Sequence, residues 1–113
     1  ERHFLGMALV NLPKLRVHIL IKLCDGEVHS KTDLKRELRT KFQLTMQQLQ
    51  LRDDLRRQLW DRDMVHQLSW LRKRKLIKNE VINGREIQAR VYITKLGREI
   101  LKFCDTHKRM ELP

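Results

Sequence analysis

Residues 61–94 read DRDMVHQLSWLRKRKLIKNEVINGREIQARVYIT, and the hydrophobic period of this stretch changes near its middle. In the first part, Met64, Leu68 and Leu71 follow Trp60 at steps of three and four residues. At 100° per residue these four side chains lie within roughly 80° of one another, which is typical of an amphipathic helix. We therefore predict a helix over residues 61–75.

After Leu76 the hydrophobic period becomes two, as in a strand. Ile87, Ala89, Val91 and Ile93 alternate with Gln88, Arg90 and Tyr92. The dipeptide Asn83-Gly84 precedes this alternation, and Asn-Gly favours a tight two-residue turn between strands. We predict a β-hairpin directly after the helix.

Two further helices are predicted upstream. Pro13 suits a first helical turn, and apolar residues recur after it at helical spacing as far as Cys24, which predicts a helix over 13–24. Residues 25–26 are Asp-Gly and end this helix, and residues 27–29 can form only a short strand. Ser30 followed by Asp33 has the capping-box pattern, which predicts a second helix over 31–41.

Two more caps are visible along the chain. Thr45 can cap a short helical turn, whereas residues 49–60 are polar and rich in arginine and are left unassigned. Thr94 can cap a last helix, which ends before the polar tail from His107. The order of elements is thus helix, short strand, helix, helix, hairpin and helix.

This order predicts a mainly α fold with a small β-hairpin, in the α+β class, and more narrowly a winged helix-turn-helix. With 113 residues and a mass of 13.7 kDa, the chain is long enough for one hydrophobic core. We predict an N-terminal extension over 1–11, a winged-helix domain over 12–104 and a C-terminal tail over 105–113.

The charge of the chain predicts a polyanionic partner. There are 25 Lys and Arg against 14 Asp and Glu, which gives a net charge of +11, and the isoelectric point is about 10.3. Such a surface attracts nucleic acid through its phosphates, and it can also attract an anionic membrane. Because the basic residues are spread over several elements rather than along one amphipathic helix, we favour double-stranded DNA over a membrane.

Composition also predicts where the protein is found. The apolar runs are far shorter than the roughly 20 residues that span a bilayer, and residues 6–10 lack the cleavage site of a signal peptide. The two cysteines are too few for a disulfide framework. We expect a soluble protein of the cytoplasm or nucleoid, or of the nucleus in a eukaryote. Because the chain begins at Glu1, we expect a processed product or a piece of a longer protein.

The polar face of the predicted helix 61–75 is the candidate surface for reading DNA, because winged helices lay their third helix in the major groove. This face carries Arg62, His66, Ser69 and Lys73, with Trp70 at its edge. The first four can hydrogen-bond to base edges or phosphates. A solvated face of an ordinary surface helix would have the same composition, and Trp70 can either stack on a base or pack against the hairpin.

Phosphate contacts are predicted on both sides of that helix. Lys31 and Thr32, next to Ser30, lie at a helix N-terminus, where an anion is favoured. Arg85 at the hairpin tip and Arg90 on its polar face suit phosphate or minor-groove contact. The alternatives are that Ser30 only caps its helix and that Arg85 only adds solubility. Residues 52–78 add nine basic residues against four acidic ones.

The sequence gives little support for an enzyme, a metal or another cofactor. We find no Gly-rich phosphate loop, no nucleophile elbow and no paired catalytic carboxylates. A Cys2His2 zinc site could be drawn from Cys24, His29, Cys104 and His107. Its spacing is unlike that of zinc sites, and both cysteines occupy apolar helix positions. We expect no catalytic or metal-binding residues.

Several short sequence fragments follow one another along the chain in an order and at a spacing that resemble those of a known family. They are Leu12-Pro13 with Leu15, Phe42-Gln43-Leu44-Thr45, Asp61, Leu68-Ser69-Trp70-Leu71 with Arg72-Lys73 and Leu76-Ile77, and Tyr92-Ile93-Thr94 with Gly97-Arg98. Over residues 12–101 the sequence thereby resembles the N-terminal winged-helix domain of Mrr-type restriction endonucleases. It departs from that family at Arg62-Asp63, His66 and Arg74-Lys75, where the family usually has Asn-Arg, Trp and Ala-Gly. The family's target sequence therefore does not carry over.

The resemblance implies a DNA-targeting module whose nuclease is a separate domain that this chain does not include. Our first hypothesis is a sequence- or modification-sensing module of a restriction-type or related DNA-processing protein. The second is a free-standing transcription regulator, in which residues 7–10 continue a dimerisation element of a homodimer. The third is a protein-interaction winged helix, in which the basic face meets an acidic partner.

Overall fold

The computed structural model describes residues 8–113. Over this part of the chain, five helices and three strands form one α+β unit, about half of it helical, as the sequence predicts. The helices are α1 (Leu12–Leu23), α2 (Lys31–Lys41), α3 (Met46–Leu49), α4 (Leu59–Lys73) and α5 (Lys95–Thr106). The strands are β1 (His29–Ser30), β2 (Ile77–Ile82) and β3 (Arg85–Ile93). They form an antiparallel sheet in the order β1-β3-β2.

Four of the five helices begin with a side-chain cap. Asn11 accepts a hydrogen bond from the Lys14 N–H, Ser30 caps α2, and Thr94 caps α5. Thr45 forms a complete capping box with Gln48 at the start of α3. The predicted caps at Ser30, Thr45 and Thr94 are thus confirmed. Each cap satisfies a backbone N–H that has no partner within its helix.

The helix bounds differ from the predicted ones by at most two residues. α2 agrees at both ends, and α1 begins and ends one residue earlier, so that Cys24 is its exposed C-cap rather than an apolar position. α4 begins at Leu59, where the Leu59 N–H donates to the Leu51 carbonyl at 3.0 Å. It ends before Lys75, whose left-handed φ of 63° stops the helix. The predicted strand 27–29 is displaced to His29–Ser30.

The predicted hairpin is present, with a left-handed φ at both Asn83 and Gly84, as a tight hairpin turn requires. Its register shifts at Asn79, which pairs with Val91 while the next residue, Glu80, pairs with Ile87. Because of this bulge, the even alternation predicted for β3 does not hold. Val91 and Ile93 are buried, whereas Ile87 is half-buried and Ala89 is exposed. The outer half of the hairpin extends beyond the core.

The core lies between the helices and the inner half of the sheet. The stripe predicted on α4 is buried, namely Trp60, Met64, Leu68 and Leu71. It packs with Leu15, Ile19, Leu20 and Leu23 of α1, Leu34 and Leu38 of α2, and Leu76, Ile77, Val91 and Ile93 of the sheet. α5 docks closely on this core, because a Cβ added at Gly97 would collide with the Leu76 carbonyl oxygen.

Residues at both ends of the described part of the chain pack against the core. The Leu9 N–H donates to the Asp63 carboxylate at 3.1 Å, and Leu9 and Val10 pack against the core. The predicted tail 105–113 also packs in part, since Leu112 contacts the core. Residues 1–7 of the predicted extension, including the first residue of the dimerisation element proposed over 7–10, lie outside the described residues.

Candidate nucleic-acid interface

The exposed face of α4 holds three of the four polar residues predicted there. His66 and Lys73 are exposed, and Ser69 is half-buried. Arg62 differs, because only 13% of its side chain is exposed and its Nη2 lies 3.3 Å from Asp63 Oδ1. The carboxylate of Asp63 is buried, so it requires a positive partner within the protein. Arg62 meets this requirement, and its predicted place on the open face is therefore wrong.

Two residues of this face were missed in the sequence. Val65 is 58% exposed, and Arg72 is also exposed. Together with His66, Ser69 and Lys73 they lie within an arc of roughly 120° at 100° per residue. We call these five residues the α4 face. The helical wheel alone would have found Val65 and Arg72, which are seven residues apart.

Trp70 is held by two guanidinium groups and is half-buried. The Arg16 Cζ lies 4.1 Å and the Arg74 Cζ 3.6 Å from the centroid of its ring. Arg16 also donates to Gln67 Oε1 at 2.6 Å. Burial, and then the charge of Arg74, lower the pKa of Arg16. Trp70 therefore packs between α1 and α4 through these contacts, while base stacking by Trp70 stays a prediction.

Lys31 lies at the start of α2 and is half-buried. The pKa of Lys31 is lowered chiefly by burial and then by the nearby Arg72, while Glu86 acts in the opposite direction. Arg72 reaches the hairpin through a 3.4 Å hydrogen bond from Nη1 to Gln88 Oε1. Thr32, beside Lys31, is exposed. α4 thus reaches the hairpin through Arg72, and α2 packs against β3 of the same hairpin.

The two predicted arginines of the hairpin differ in their surroundings. Arg85 is exposed beside the Asn83-Gly84 turn. Arg90 donates from Nε to Glu80 Oε1 at 2.8 Å and remains about half exposed. Arg85 thus offers its full charge at the tip of the hairpin, whereas the charge of Arg90 is balanced by a carboxylate.

A hollow of about 300 Å³ lies at the N-terminal end of α4, where the sequence was left unassigned. Its lining residues are Arg52, Arg56, Arg57, Gln58, Asp61, Arg62 and Val65. We call it the arginine hollow. The one carboxylate among these lining residues, Asp61, already pairs with Lys35 Nζ at 2.8 Å. Val65 belongs both to the hollow and to the α4 face, so the two surfaces are continuous.

The loop that carries these arginines folds around Asp53, which is buried. Its carboxylate accepts hydrogen bonds from the Leu55 and Arg57 N–H groups and from Arg57 Nε, at 2.8–2.9 Å. Burial alone would raise the pKa of Asp53, but these hydrogen bonds lower it below its ordinary value. Gln58 is the N-cap residue of α4, but its side chain accepts no hydrogen bond from the first turn of the helix. This first turn lines the hollow.

The four candidate zinc ligands differ in exposure and in the groups that they contact. Cys24 is exposed and Cys104 is buried, and burial raises the pKa of the Cys104 thiol. His29 Nε2 lies 2.9 Å from the Asp25 carboxylate, and the His107 ring stacks on Phe103. Within residues 8–113, no three His, Cys, Asp or Glu side chains are grouped as a metal site would need.

Among the helices over residues 8–113, none combines the length and the apolar character needed to cross a bilayer.

A comparison with protein-family models, with curated proteins and with solved structures found no match for this chain. The resemblance to the Mrr-type winged-helix domain therefore stays a prediction that depends on the residues quoted for it.

Proposed function

We propose that this domain is a winged helix that binds double-stranded DNA, with α4 lying in the major groove. One observation carries the proposal: the exposed α4 face is continuous with the arginine hollow at one end, through Val65, and ends in the exposed Arg72 and Lys73 at the other. The order of elements and the sheet order β1-β3-β2 support the narrower assignment to the winged-helix class.

The dimensions of the two partners agree. An α-helix with its side chains is about 10–12 Å across, and the major groove of B-DNA is about 12 Å wide. His66 and Ser69 would then approach base edges, since both can donate and accept hydrogen bonds. Arg72 and Lys73, nearer the end of α4, would contact guanine acceptors or phosphates. Val65 would provide an apolar contact with a thymine methyl group.

Phosphates of the flanking backbone would be bound by the remaining basic residues. Arg52 and Arg56 in the hollow form no ion pair among the described residues, and Lys31 of α2 and the exposed Arg85 of the hairpin would supply further contacts. In this assignment Arg62 holds Asp63 and lines the hollow instead of reading a base. Arg90, Thr32 and Trp70 contribute less: Arg90 is paired, Thr32 adds a hydroxyl beside Lys31, and Trp70 positions α4.

The resemblance extends this proposal to a biological role. We infer that the domain directs a restriction-type or related DNA-processing protein to its target, and that cleavage belongs to a separate effector domain. Under this proposal the chain contributes binding and no catalysis. A selection from random duplexes that includes cytosine- and adenine-modified DNA would identify the target.

The direct test is the salt dependence of duplex binding, measured by fluorescence anisotropy with a labelled duplex of about 20 base pairs. Six phosphate contacts, from Arg52, Arg56, Lys31, Arg72, Lys73 and Arg85, would give a log–log slope of about −5.4 at about 0.9 per contact. A slope near zero, or no binding at low salt, would refute the proposal.

A further inference from the structure

A second surface lies between α1 and α5, away from the α4 face. It is a groove of about 590 Å³, which we call the α1–α5 groove. Val17, Ile21 and Cys24 line one wall, and they follow one another along a single face of α1 at steps of four and three residues. At 1.5 Å per residue this wall is about 11 Å long, or two helical turns.

The opposite wall is formed by α5 and by the segment that follows it. Leu101 and Cys104 come from α5, and Met110 closes the groove beyond the helix. Ile21 is 42% exposed and Met110 is 46% exposed, although both side chains are large and apolar. An apolar groove of this size, which leaves large apolar side chains exposed, is a feature of surfaces that receive a partner.

The rim of the groove is basic. Arg98, Lys102, Lys108 and Arg109 line it, against a single carboxylate, Asp105. None of these four basic residues forms an ion pair with a carboxylate among residues 8–113. The groove therefore combines an apolar floor with a rim of unpaired positive charge.

We propose that the α1–α5 groove docks an acidic amphipathic helix of a partner protein. Apolar side chains of that helix at i, i+3 or i+4, and i+7 would enter the floor, whose own side chains repeat over two turns. Its carboxylates would meet Arg98, Lys102 and their neighbours on the rim. This site is separate from the proposed DNA-binding function, because its lining shares no residue with the α4 face or the arginine hollow.

The same observations disfavour two other occupants. A second copy of this chain carries a net charge of +11 and the same basic rim, so it would be repelled. A bilayer surface is contacted by apolar side chains that protrude from a helix, whereas this floor is recessed between two helices.

The test uses a fluorescein-labelled peptide of about 14 residues, stapled on its outer face so that it is helical in solution. Leu occupies i, i+4 and i+7, and Glu occupies the flanking positions. One control peptide has the same composition with Leu distributed around the helix, and another has Lys in place of Glu. We expect saturable binding of the first peptide and at least about tenfold weaker binding of both controls.

Matched variants of the domain locate the site. Ile21→Glu places a carboxylate in the groove and should weaken peptide binding at least about tenfold, while duplex binding is retained. Val81→Glu changes the net charge equally at a 60% exposed position of β2 and should leave peptide binding unchanged. Equal affinity for the three peptides, or an equal response of the two variants, overturns the proposal. Ile21-dependent binding to phosphatidylserine vesicles without peptide binding also overturns it and assigns the groove to lipid.

Discussion

Arg52 and Arg56 of the arginine hollow form no ion pair among the described residues, and replacing both by Gln should reduce the salt dependence of DNA binding without changing sequence preference. Both side chains line the hollow beside Val65 of the α4 face, where a backbone phosphate would lie. Phosphate contacts position a protein on DNA but carry no sequence information. The loss should therefore be the same for a preferred duplex and for a random one.

The magnitude follows from the number of contacts. Six contacts give a slope of about −5.4, and removing two leaves about −3.6. Between 50 and 200 mM salt the native domain should then lose about 2,000-fold in affinity, whereas the double variant should lose about 150-fold. Anisotropy titrations at four salt concentrations, on one preferred and one random duplex, measure both slopes.

A second double variant supplies the matched control. Lys102→Gln with Lys108→Gln removes the same two charges from the rim of the α1–α5 groove. If bulk charge alone determined binding, the two double variants would have the same slope. An unchanged slope in the arginine variant, or equal slopes in both, would show that the hollow does not contact the DNA backbone.

Four further predictions concern single positions. Lys31→Ala should weaken binding to all duplexes alike and reduce the slope by about 0.9, so a changed sequence preference in a binding selection would contradict its phosphate role. His66→Ala should cost about 1–3 kcal/mol on the preferred duplex and much less on a random one, and an unchanged ratio of the two affinities would remove it as a base contact. Met64→Ala should lower the free energy of unfolding by about 2–5 kcal/mol in urea denaturation because Met64 is buried, and a loss below about 1 kcal/mol would argue against its place in the core. Asp53 has a lowered pKa in the folded state, so its stabilisation is present above the unfolded-state pKa of about 3.9 and is lost as pH falls through the folded value. Asp53→Asn should therefore reduce the melting temperature at pH 7, and the melting temperature of the variant should fall less steeply than that of the native domain below about pH 5. If the melting temperature of the variant falls as steeply as that of the native domain, this reasoning is refuted.

The local elements could be predicted from sequence because their signals are local. Ser30, Thr45 and Thr94 are strong capping residues placed directly before helical patterns, and each caps a helix. The Asn83-Gly84 turn requires two left-handed residues, which this dipeptide tolerates. The α4 stripe was predictable because burial of an amphipathic helix follows its period.

The features that were missed depend on contacts between distant residues. Arg62 has the spacing of an exposed residue, but its side chain is 13% exposed and lies 3.3 Å from the buried Asp63, which also accepts the Leu9 N–H. The start of α4 depends on Leu51, eight residues away, and the arginine hollow exists only once the loop folds around Asp53. Neither the hydrophobic periodicity nor the secondary-structure propensity of the sequence predicts these long-range contacts.

The two proposed surfaces use different parts of one small domain. DNA would contact α4, the start of α2 and the hairpin, whereas the groove is built from α1, α5 and the segment after it. α1 and α4 are joined by the contacts of Arg16 with Trp70 and Gln67, which hold the two helices in one arrangement. Under the two proposals, DNA and an acidic partner would contact surfaces that share no lining residue, so both could be bound at the same time.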